Sequence, residues 1–70
     1  MEAVAISDDY IKLGQVLKLA GMVGSGVEAK AVIQDGQVKV NGEVDTRRGR
    51  KVYPQDTVEY GGQQVVVINE

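Results

Sequence analysis

AKAVIQDGQVKVNG, residues 29–42, changes its hydrophobic period part-way along. Ala29, Val32 and Ile33 are spaced to share one face of a helix. After Gly36, Val38 and Val40 alternate with Gln37 and Lys39, the two-residue period of a strand with one face covered. Gly36 sits where a helix would stop. Asn41-Gly42 is a strong hairpin signal, because both residues tolerate the positive φ of a tight turn. Helix, stop, strand and turn within fourteen residues place the chain in the α+β class.

Toward the N-terminus, Ser25 and Glu28 have the spacing of a capping box, in which each side chain satisfies a free N–H of the first turn. Before that, Leu13, Val16, Leu17 and Ala20 predict a short first helix that Gly21 stops. AVAIS at 3–7 reads as a strand through Val4 and Ile6. Toward the C-terminus, Val44 restarts a strand that runs into a basic segment. Val52-Tyr53 leads to a turn at Pro54-Gln55-Asp56, where proline presets φ. Val58 and Tyr60 mark another strand, Gly61-Gly62 a tight turn, and Gln63–Asn69 a last strand. The expected order is β-α-α and then a β meander, with two short helices packed against a small, mainly antiparallel sheet. Residues 1–70 are expected to form one domain, with no repeat and no linker.

A 70-residue domain buries only about 60% of the surface its unfolded chain exposes. With no Cys, no disulfide can staple it, and with no His the common zinc ligands are missing. No Phe or Trp is present, so Val, Ile, Leu and Ala must fill the core. Residues 1–9 carry three acids and no base, unlike an export signal. The longest apolar run, Val65–Ile68, falls far short of a membrane span. A cytoplasmic location is the expectation.

The net charge of −2 conceals a segregation. All eight cations lie between Ile11 and Lys51 beside four acids, so the middle carries +4 while each flank carries −3. Half of those cations, Arg47, Arg48, Arg50 and Lys51, fall within VDTRRGRKV at 44–52. An arginine fork suits phosphate, and Gly49 permits a close backbone approach or a turn. No aromatic is interleaved among the arginines, so recognition of phosphate and shape is the natural reading. GMVGSG lacks a Lys-Ser/Thr ending and follows no strand, so it is not a P-loop. It reads as a helix–helix turn before a helix N-terminus able to receive one phosphate. A nucleophile beside a base, or two shielded carboxylates, is not found, which speaks against catalysis.

From Leu13 to Thr57 the chain resembles the S-four-type RNA-binding domain, or alpha-L motif. The resemblance is carried by KLGQVLKLAG, by SGVEAKAVIQDGQVKVNGEV, by the basic stretch and by VYPQDTV, with A-K-x-x-I-x-x-G-x-V-x-V-N-G as its specific part. It is nearest to small stand-alone bacterial members, with a motif core at about residues 11–60. The resemblance implies the alpha-L fold, no cofactor, and a helical face plus β-ribbon that grips structured RNA, commonly ribosomal. Onto this chain it carries Lys12, Lys30 and Lys39, joined by Lys18, by Ser25 at the helix N-terminus and by the four cations of the basic loop. Two departures stand out: Gly26 replaces an arginine frequent after the serine, and Gly14 replaces an acid in the usual Arg-Leu-Asp opening. Both shift the expected contacts toward Arg47, Arg48, Arg50 and Lys51. The expected function is therefore non-enzymatic binding of ribosomal RNA or a ribosome precursor. The alternative is a small adaptor that binds an acidic protein through the arginine loop.

Overall fold

A computed structural model describes residues 1–70. The elements in order are β1 (Glu2–Ile6), β2 (Ile11–Lys12), α1 (Leu13–Leu19), α2 (Gly26–Gln34), β3 (Lys39–Val40), β4 (Glu43–Val44), β5 (Lys51–Val52), β6 (Thr57–Tyr60) and β7 (Gln63–Asn69). Five strands form one sheet in the order β1-β7-β6-β3-β4. Three of its four strand pairs are antiparallel, and β1 runs parallel to β7 with Val4 beside Val67. That parallel pair brings the two ends of the chain together, a long-range pairing that no local pattern reveals.

Local chemistry sets most of these elements. Ser25 caps α2, its Oγ accepting the Glu28 N–H at 3.2 Å. The return bond differs from the expected box: Glu28 Oε1 accepts the N–H of Gly24, at 2.9 Å, and not that of Ser25. Asn41 and Gly42 both take positive φ, 52° and 84°, and turn β3 into β4. Asn41 also braces a more distant segment: its amide donates to Asp56 Oδ1 at 3.0 Å and its Oδ1 accepts the Thr57 N–H at 2.9 Å.

The core is one cluster of fifteen aliphatic residues with no buried polar or charged residue. The predicted helix faces supply Leu13, Val16, Leu17, Ala29, Val32 and Ile33, and the strands supply mostly valine. Fully burying each of the larger side chains contributes roughly 1.5–3 kcal/mol.

The meander is interrupted. The strand from Val44 stops at once, and β5 leaves the main sheet to pair with β2, setting Ile11 beside Val52 and Lys12 beside Lys51. Val52 is fully buried there and anchors the small ribbon to the core. Residues 45–50, the basic loop, therefore bridge the main sheet and this ribbon next to the start of α1.

Candidate nucleic-acid interface

The basic loop is fastened to the first helix by its backbone. Lys12, the N-cap of α1, offers no side-chain cap, so the first N–H groups need other acceptors. Leu13 N–H donates to the Arg50 carbonyl at 2.9 Å and Gly14 N–H to the Arg48 carbonyl at 3.1 Å. Gly14 also lets a side chain lie across the helix: a Cβ placed on it would stand 2.9 Å from Arg48 Cγ. The residue that departs from the family pattern at position 14 is thus the one that makes room for Arg48.

The three arginines of the loop and Lys51, which opens β5, have different neighbours. Asp45 accepts from Arg47 Nε at 3.0 Å and from Arg47 Nη2 at 2.7 Å, a two-pronged pair, and it takes the Arg47 backbone N–H as well. The same carboxylate lies 3.0 Å from Arg50 Nε. Those bonds from Arg47, working against partial burial and aided by the charge of Arg50, hold the Asp45 carboxyl at about 2, below its ordinary 3.8. Asp45 in turn keeps Arg47 protonated beyond its ordinary range. Arg50 is only 26% exposed, with Nη1 buried, lacking a hydrogen-bond partner, and 4.0 Å from Asp56. Burial raises the Asp56 carboxyl, but the Tyr53 N–H, the Asn41 amide and the Arg50 charge prevail and lower it. Asn41, Asp56, Arg50 and Asp45 thus link the hairpin turn to the basic loop.

Arg48, Lys51, Lys12 and Lys18 remain exposed, and none has a carboxylate within ion-pair distance. Arg48, Lys12 and Lys18 meet around an open groove of about 300 Å³ between α1, the start of α2 and the loop. Gln15, Gly26 and Gly49 complete its polar lining. Lys12 and Lys51 stand directly opposite each other on the β2–β5 ribbon. Like charges in that position repel, and an anion bound between or beside them relieves the repulsion. The predicted residues thus divide. Lys12, Lys18, Arg48 and Lys51 form a contiguous cationic surface, and Arg47 borders it with its charge matched by Asp45. Ser25 serves as a helix cap and Arg50 as a tie within the loop. Lys30 is exposed on α2 but does not line the groove, and Lys39 lies on β3 beside Glu59 and Val44, away from it.

Sequence reasoning missed two aromatic residues. Tyr10 and Tyr53 extend the β2–β5 register by one pair, their ring centroids 5.9 Å apart. Lys51 Nζ lies over the Tyr10 ring, 4.8 Å from its centre. A signal was present in the alternation: Tyr10-Ile11-Lys12 and Lys51-Val52-Tyr53 each flank an inward apolar residue with an aromatic and a lysine.

Two helices packed on each other beside a β-ribbon are the architecture the resemblance implied. The S4 domain family matches residues 4–68, and the chain belongs to that family. Among its relatives is the "Probable ribosome maturation protein RlbA" of Bacillus subtilis, 47% identical over 66 residues, covering 90% of this chain and 93% of the relative. YbcJ of Escherichia coli is 42% identical over 59 residues, 84% of each chain. The solution structure of that protein, described as revealing an alpha-L motif involved in RNA binding, superposes with a TM-score of 0.75 at 38% identity. The superposition covers 97% of this chain and 87% of that one. The fold is the alpha-L fold.

Proposed function

We propose that this protein is a non-enzymatic RNA-binding module that grips structured RNA, with ribosomal RNA or a ribosome precursor as its target in the cytoplasm. The observation that carries this reading is that four of the six cations without an ion pair, Arg48, Lys12 and Lys18 around the groove and Lys51 on the ribbon beside it, share one surface in a chain that is acidic overall. Their placement on two rigid elements and a tethered loop suits a ligand with regularly spaced phosphates. The name of one relative, tied to ribosome maturation, supports a ribosomal target, and that of the other supports RNA binding. The open, mostly polar groove offers no enclosed apolar pocket for a small substrate.

Neutralising about four phosphates gives a slope of log K against log[salt] of about −3 to −4. Arg48→Ala should flatten that slope by about 0.7–0.9. Lys39→Ala, away from the groove, should leave it unchanged. Binding indifferent to salt, or equally sensitive to both substitutions, would overturn the reading.

A further inference from the structure

The chain has only three aromatic residues, and two of them stand outside the core. Tyr10 is 36% exposed and Tyr53 47% exposed, on the outward face of the β2–β5 ribbon. That face has a regular composition: Tyr10 opposite Tyr53, then Lys12 opposite Lys51, with Ile11 and Val52 turned inward. The two rings, inclined at 50° with centroids 5.9 Å apart, pack against each other as a tilted pair and keep part of their surface exposed. Lys51 bridges the aromatic pair and the lysine pair, and Lys12 belongs to the groove as well. The aromatic pair is therefore continuous with the cationic surface.

We propose that this ribbon face is a stacking ledge for an unpaired nucleotide of the bound RNA, and the proposal rests on the RNA-binding reading above. The groove cations hold the backbone of the structured part, and one base beyond it lies against Tyr10 and Tyr53. Lys51 meets the adjoining phosphate. Asp8 and Asp9 precede Tyr10 and share a shallow hollow with Tyr10 and Lys12, so they disfavour phosphates there and favour a backbone that leaves the ledge toward Lys51 and Arg48. Because every base has a π-face, the ledge favours unpaired over paired nucleotides without selecting a sequence. The ligand is thus a duplex with a bulge or a single-stranded junction.

A blunt RNA duplex, and the same duplex with a short single-stranded 3′ extension, separate the two levels of the reading. The wild-type protein should bind the extended RNA about fivefold or more tightly than the blunt one, the worth of one base–aromatic stack. Tyr10→Leu and Tyr53→Leu, which keep apolar bulk at exposed positions, should abolish the preference and leave blunt-duplex affinity within about twofold of the wild type. The tyrosine fluorescence of the wild type should be quenched by the extended RNA only. Equal affinity of the wild type for the two RNAs, or a preference that survives in the leucine variants, overturns the ledge while the groove reading stands. Failure of the wild type to bind either RNA with a salt-dependent affinity removes the reading on which the ledge rests.

Discussion

Gly14 and Asp45 organise the cationic surface without carrying positive charge. At Gly14 the close approach of Arg48 leaves no space for a methyl group. Gly14→Ala should raise helix propensity by up to about 1 kcal/mol yet weaken RNA binding roughly three- to tenfold, the worth of one phosphate contact. Combined with Arg48→Ala it should have little further effect, because both changes remove the same contact; additive losses in binding assays would show that Arg48 is not what Gly14 positions. Asp45 has its carboxyl held near 2 and so favours the folded state at any pH above its ordinary 3.8. That contribution fades as the pH falls through about 2. Asp45→Asn should cost about 1–2 kcal/mol at neutral pH. Denaturant melts should show the difference from the wild type shrinking between about pH 4 and pH 2. A difference independent of pH would place the role of Asp45 elsewhere.

Elements built from neighbouring residues are legible in the sequence alone. The capped α2, the Asn41-Gly42 hairpin and the apolar faces of both helices need only spacing and turn chemistry, and they stand where spacing put them. Two pairings could not be seen in this way. β1 meets β7 across most of the chain, and β2 meets β5 through only two residues each. Strands so short carry almost no periodic signal, and closure of such long loops depends on the whole core. The candidate site was legible in kind but not in detail. The cluster of four cations was evident, whereas the pairing of Arg47 and Arg50 with Asp45, and the arrival of Tyr10 beside Lys51, follow from the folded geometry. At the N-terminus of α2, nothing lies within 4 Å of a Cβ placed on Gly26, which lines the groove. Gly26→Arg should therefore fit, strengthen RNA binding, and steepen the salt slope by about 0.7–0.9. An unchanged slope would mean that bound RNA does not pass the start of α2.

In the whole molecule, an acidic chain sets four of its six cations that have no ion pair on one surface, the surface proposed above to hold ribosomal RNA. The acidic flanks end in β1 and β7, which pair with each other. That pairing joins the two chain ends, and the basic middle lines the groove. No helix of the protein is long and apolar enough to cross a membrane, and no group of acidic side chains is placed to hold a metal ion. Crosslinking in cells followed by sequencing of the bound RNA tests the claim most directly, with the wild type compared against the combined Lys12→Ala, Lys18→Ala, Arg48→Ala variant. The account predicts ribosomal RNA or its precursor enriched at a discrete structured region in the wild type, and that enrichment lost in the folded variant. Enrichment undiminished in the variant, or no RNA recovered with the wild type, would contradict it.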